Sequence, residues 1–197
     1  MKTMKRTIAL CLLLALFAAA LTGCYQIRAA EPDQIYGTYE LVTYTHSVTK
    51  ENTGETAEGE SNTETENMIE THGITSYLVV IDSENGYYYY KDNETPAVCY
   101  KVSISLLESS DEEEKGKYTY LTFSYGNESV KLGIVAPSGI FSSKTRLNVT
   151  HPEWRGNLIA GNVRYAGSTH TVFSRVNKAT NLSYLEKQVG KVTITEP

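Results

Sequence analysis

Between Ile35 and Val176, outside an acidic segment over 47–72, runs of apolar and polar residues alternate with a period of two, the signature of strands with one buried face. The plainest stretch places Val98, Tyr100, Val102, Ile104 and Leu106 on one face and Lys101, Ser103 and Ser105 on the other. Strands are predicted over residues 37–45, 74–82, 87–91, 98–106, 118–125, 130–134, 140–149, 158–165 and 169–176. Turn residues divide them. Asn85-Gly86 supplies the positive φ angles of a tight hairpin, Pro96 breaks before the fourth strand, and Gly126-Asn127 and Ala166-Gly167 mark later turns. Helical spacing occurs once after residue 178: Asn181 can cap a short helix over 182–188, with Leu182, Leu185 and Val189 on one side and Gly190 just beyond its end.

Consecutive half-buried strands joined by short turns must hide both their apolar faces and their edges. Rolling the sheet shut does both. The predicted fold is therefore all-β, an antiparallel up-and-down β-barrel of 8–9 strands with a short C-terminal helix. A two-sheet sandwich is the structural alternative, but it usually needs longer crossovers in mid-chain. A barrel of this size either fills with side chains or holds one small ligand.

The N-terminus has a different character. Lys2, Lys5 and Arg6 precede an apolar run over 8–21, too short for the ~20 residues of a spanning helix. A basic segment, an apolar core and small residues make a secretory signal. Its exit, Leu21-Thr22-Gly23-Cys24, resembles a bacterial lipobox. That resemblance implies removal of residues 1–23 and acylation of Cys24 as the first mature residue, on the outer side of the cell membrane. At ~0.8 kcal/mol per buried CH₂, two acyl chains hold a protein stably where one does not. Residues 24–34 then read as a tether and 35–197 as the domain. Of the three cysteines, Cys11 leaves with the signal and Cys24 is acylated. Cys99 is left without a disulfide partner, inside an alternating strand, as a structural thiol.

Charge narrows the partners. Three of the 18 basic residues and none of the 23 acidic ones lie in the signal, so the mature chain is net −8. A chain of that sign lacks the clustered cations that phosphate contact requires, and nucleic acid is not an expected partner. Seven of the acids are glutamates in residues 47–72, among Thr, Asn and Gly, with no apolar residue larger than Ala between Lys50 and Asn67. Such a segment buries too little to offset its ordering entropy and reads as a long acidic loop. The four Asn-X-Ser/Thr tripeptides at Asn93, Asn127, Asn148 and Asn181 are chance matches if the lipobox places the chain in a bacterium.

Ile35-Tyr-Gly37-Thr-Tyr39-Glu-Leu on the first strand and Thr171-Val-Phe-Ser-Arg175-Val on the last resemble the lipocalin-like (calycin) group. So does the order of elements: an opening Gly-X-aromatic strand, the longest loop, a meander, and a closing helix. That family usually carries Trp where this chain has Tyr39. The resemblance implies a barrel whose closed end holds Tyr39 under an inward Arg175, stabilised by carbonyl partners and a cation–π contact. It also implies a small apolar or amphipathic ligand in an interior lined by Leu41, Tyr100, Val102, Phe123 and Leu132.

No nucleophile motif, phosphate-cradling loop or Cys-X-X-Cys is present. His46, His72, His151 and His170 are isolated in sequence, although His46 and His72 flank the acidic loop and could meet near a barrel mouth. The expectation is a binding protein, not an enzyme, with neither cofactor nor metal. The compositional oddity is 15 tyrosines, four of them consecutive at Tyr87 to Tyr90. Alternation sends two inward as amphipathic pocket walls and two outward. The alternative function follows from the outward pair: a filled barrel that meets a protein or glycan through a Tyr-rich surface.

Overall fold

The computed structural model describes residues 27–52, 61–137, 144–154 and 163–196. The signal peptide and Cys24 lie outside these residues. The chain forms a short helix α1 (Pro32–Ile35), then β1 (Gly37–Asn52), β2 (Ser61–Asn67), α2 (Met68–His72), β3 (Thr75–Val80), β4 (Asn85–Lys91) and β5 (Val98–Glu108). There follow a 3₁₀ turn (Glu112–Glu114), β6 (Tyr118–Tyr125), β7 (Glu128–Val135), β8 (Arg146–Trp154), β9 (Val163–Asn177), α3 (Ser183–Val189) and β10 (Ile194–Thr195).

Eight strands close an antiparallel barrel in the order β5-β4-β3-β1-β9-β8-β7-β6, with β6 returning to β5. Apart from the β1/β2 excursion, each strand pairs with its neighbour in sequence, so the topology is up-and-down. Period-2 alternation turns one face of every strand to a common interior. The register lines up Tyr39 with Leu78, Leu78 with Tyr88, Ile104 with Phe123, Leu121 with Leu132, Ile134 with Leu147, and Leu147 with Phe173. These residues form one buried cluster, with Tyr88 packed against it half-buried.

A second cluster lies on the outer face. Tyr77, Val79, Tyr89 and Cys99 project away from the interior and are covered by Leu185 of α3. The helix has the cap expected for it: Asn181 Oδ1 accepts from the Ser183 amide at 3.0 Å, and Gly190, at φ 85°, donates its amide to the Glu186 carbonyl. After it β10 runs parallel to β5, beside Cys99 and Tyr100.

Three expectations need correction. First, the acidic segment 47–72 is not an open loop. β1 continues to Asn52, β2 pairs back on it, and α2 completes the return; residues 53–60 lie outside the described residues. No apolar burial drives this arm. It is held by backbone pairing of β1 with β9 as far as Asn52 opposite Val163. Hydroxyl rungs link Ser47 to Thr65 and Thr49 to Thr63, and Lys50 pairs with Glu64 at 3.2 Å. Second, residues 27–34 are not a loose tether. Ala30 exchanges hydrogen bonds with Tyr118, Arg28 pairs with Val135, and Ala30 and Ile35 are fully buried. Third, the predicted strands over 158–165 and 169–176 are one strand. Gly167 sits mid-ladder with Val48 on one side and Trp154 on the other, so two neighbours hold extended a segment that in isolation reads as a turn. Predicted residues 140–143 and 158–162 lie outside the described residues.

Candidate functional site

The two ends of the barrel differ in how they are filled. At one end α1 lies across the opening, and its carbonyls meet donors from the barrel wall. A helix leaves its last carbonyls without intrahelical partners. Here Asp33 and Tyr36 accept from Arg175 Nη1 at 3.0 and 3.3 Å, Gln34 from Thr145 Oγ1 at 2.6 Å, and Ile35 from the Tyr39 hydroxyl at 2.5 Å. Four consecutive carbonyls are thus satisfied by three side chains. Tyr39 and Arg175 are register partners on β1 and β9, so strand pairing brings them together. The guanidinium is engaged with carbonyls; among the described residues the cation over a ring is Lys131 on Tyr120. Burial drives the Tyr39 phenol well above its ordinary value, with Arg175 and Thr145 opposing the rise. Above this plug the interior is packed by Tyr39, Leu78, Val80, Leu121, Leu132, Ile134 and Leu147, all fully buried.

The other end is bordered by the β4–β5 loop, the β6–β7 turn and α2. There the β5–β6 ladder stops at Ser103 opposite Ser124, and toward the rim β5 takes β10 as its neighbour instead. Tyrosines occupy the space where the two strands part. Tyr100 and Tyr125 stack with ring centroids 5.2 Å apart and planes 19° from parallel. Tyr88 lies 5.3 Å from Tyr125 and 5.0 Å from Phe123. A cavity of about 220 Å³ opens between Tyr88, Tyr90, Thr95, Val98, Tyr100 and Tyr125.

Neighbouring groups fix these walls. Tyr90 donates to Asp92 Oδ2 at 2.6 Å, and the other Asp92 oxygen accepts from the amides of Glu94 and Thr95. These bonds hold the Asp92 carboxyl down to about 2, Tyr90 contributing most. Burial, then the bond to Asp92, drives Tyr90 upward. Tyr125 is raised by burial and by the nearby Glu128. Tyr88 is pushed up to about 12 by burial, the neighbouring Ser76 hydroxyl opposing the rise. Ser76 Oγ is near that phenol but short of a formed hydrogen bond, and it is buried without a partner. Ser76 shares the inward face of β3 with Leu78 and Val80 and pairs with Tyr90 in register. An unsatisfied buried hydroxyl costs about 1–3 kcal/mol unless something meets it.

Of the five interior residues expected to line a site, Val102, Phe123 and Leu132 are buried in the main cluster, and Leu41 and Tyr100 pack against it. All five share one interior, but Tyr100 alone touches the cavity. Tyr88, Tyr90 and Tyr125 complete it. Their signal was present in the inward parity of Tyr88 and Tyr90, but alternation cannot say at which height a barrel stops being filled. His46 and His72 stay on separate elements, and among the described residues no three His, Cys, Asp or Glu side chains gather as a metal site. His170 Nδ1 instead meets Thr150 Oγ1 at 3.0 Å. Cys99 is buried, and burial first and Glu186 second push its thiol up to about 11.

Comparison with protein-family models, with curated proteins and with solved structures gives no match for this chain.

Proposed function

We propose that this protein is a lipid-anchored extracytoplasmic lipoprotein whose lipocalin-like barrel binds one small apolar or amphipathic molecule at its open end. The observation that carries the binding half is the tyrosine-walled cavity above a sealed and filled lower barrel. A plugged floor and an aromatic mouth suit a ligand seated shallowly, with one end toward solvent. Amphipathic walls that present both ring faces and phenols are the surface such a molecule needs. The anchoring half rests on the signal sequence and Leu21-Thr22-Gly23-Cys24. Acylation of Cys24 would hold the barrel close to the membrane, because the chain is already bonded to β7 at Arg28. Outward Tyr89 is buried beneath α3 and Tyr87 packs at the edge of that cluster. The sheet face that a Tyr-rich adhesive surface would use is therefore largely occupied, which favours the ligand-binding reading over a filled barrel that binds through its exterior.

The test is native mass spectrometry of the protein extracted from its own host membrane. The expected spectrum shows the acylated chain carrying one further small molecule, lost on collisional activation and absent from a Tyr100→Leu variant. A wild-type chain that leaves only at its acylated mass, under conditions that preserve a control complex, would refute binding. A chain lacking acyl mass would refute the anchor.

A further inference from the structure

The mouth cavity has a mainly aromatic wall and an acidic rim. Tyr88, Tyr90, Tyr100 and Tyr125 line it beside Thr95 and Val98, and the face of an aromatic ring is negative. Carboxylates stand around it. Asp92 is bonded to Tyr90 at 2.6 Å, Glu94 follows in the same loop, and Glu128 opens β7 within electrostatic reach of Tyr125. The basic residues on the same strands point elsewhere. Lys91 follows inward Tyr90, and Lys101 follows inward Tyr100, so alternation sends both to the outer face, where they are exposed. Lys131 lies over the outward ring of Tyr120. On β3 the buried Ser76, opposite Tyr90 in register, turns its hydroxyl inward near Tyr88. Wall and rim thus offer aromatic rings and carboxylates, and among the described residues no cation lines the cavity.

We infer that the ligand is an organic cation, an ammonium or quaternary ammonium group carried on a small apolar body, seated among Tyr88, Tyr100 and Tyr125 with its charge against the ring faces. This rests on the proposed binding role and specifies the chemistry of that same site. Desolvated cation–π contacts exceed exposed ones, and several rings sharing one cation make a cage for methylated ammonium groups. The acidic rim raises the local concentration of cations and speeds their arrival, an effect that added salt weakens. An anionic amphiphile such as a fatty acid would meet carboxylates at the rim, and the described lining residues hold no cation to receive its head.

The test compares benzyltrimethylammonium with neopentylbenzene, which has the same shape with carbon in place of charged nitrogen. Both are titrated into the full chain and followed by calorimetry and tyrosine fluorescence. The expected result is binding of the cation at least about tenfold tighter than its neutral twin, falling as salt is raised from low to molar concentration. Tyr100→Phe keeps the ring face and is expected to keep this preference. Tyr100→Leu is expected to lose it while still binding the neutral probe. Glu128→Gln changes an exposed residue, leaves folding intact, and is expected to lower the cation's affinity alone by two- to threefold. Equal affinity for the two probes would overturn the inference and leave the binding role standing. Binding of neither would overturn both.

Discussion

Replacing Tyr39 by Phe tests whether hydrogen bonding, rather than ring packing, fastens α1 over the closed end. The ring is fully buried, and its hydroxyl donates to the Ile35 carbonyl at 2.5 Å. Phe keeps the ring and removes one oxygen, so almost no cavity forms. What remains is a buried carbonyl without its donor, a loss of about 1–3 kcal/mol. Truncation to Ala would cost more, about 3–5 kcal/mol, because a ring-sized void follows. For a domain of this size a loss of 1 kcal/mol lowers Tm by about 2–4 °C. With a urea m-value near 2 kcal/mol/M, the Phe variant should shift the midpoint down by about 0.5–1.5 M at unchanged m. The neighbouring Thr145→Val removes the donor to Gln34, 2.6 Å away. Both bonds hold the same helix, so once one loss has loosened it the second should cost less, and the double variant should be less destabilised than the two singles combined. A Tyr39→Phe midpoint equal to wild type would refute the reasoning, since the carbonyl would then find another partner at no cost. Strict additivity with Thr145→Val would show that the carbonyls are held independently.

Four further outcomes are expected. Gly86→Ala should destabilise by about 1–3 kcal/mol in chemical denaturation, because a Cβ there would stand 2.6 Å from the Val79 carbonyl oxygen and 3.1 Å from Ile104; an unchanged midpoint would mean that β3 and β4 can part. Cys99 should resist an aromatic disulfide reagent at pH 8 and react at once in denaturant, since its thiol is buried and raised to about 11; fast reaction in the folded state would contradict its burial under α3. Stability should be level from neutral pH to about pH 8.5 and fall above it, first through Cys99, whose thiol is raised to about 11, and more steeply above about pH 10 through the tyrosines. Tyr39, Tyr77, Tyr88 and Tyr90 are all raised when folded, Tyr88 to about 12, so above the unfolded value the unfolded chain releases protons that the folded chain retains. A midpoint that holds to pH 12 would dispute these shifts. Cys24→Ala should move the protein out of the membrane fraction while leaving its circular dichroism unchanged; continued membrane association would place the anchor elsewhere.

The alternation of apolar and polar residues by itself determined an all-β meander, the inward faces of β5 to β7 and the helix after Asn181. These are local matters of side-chain period and helix capping, and a chain carries them wherever it goes. The Asn85-Gly86 turn was misplaced: the chain reverses at residues 82–84, and Asn85 and Gly86 already belong to β4, Gly86 paired with Val80 and without a positive φ. The pairing of Tyr39 with Arg175 was legible only through a family resemblance, and its purpose, with Thr145, of capping the four carbonyls from Asp33 to Tyr36 was not legible at all. Residues 27–35 have no periodicity of their own; they are ordered because the barrel supplies donors and acceptors to them. The polar arm over 45–67 was misread for the same reason. Its strands are made by the ladder to β9, a partner more than a hundred residues away, and composition does not record distant pairing. Gly167 likewise reads as a turn until two strands flank it. Tertiary structure alone decided where the filled interior ends and the tyrosine mouth begins, because inward parity is a property of one strand, whereas the height at which a barrel stays open depends on how all eight are staggered around it.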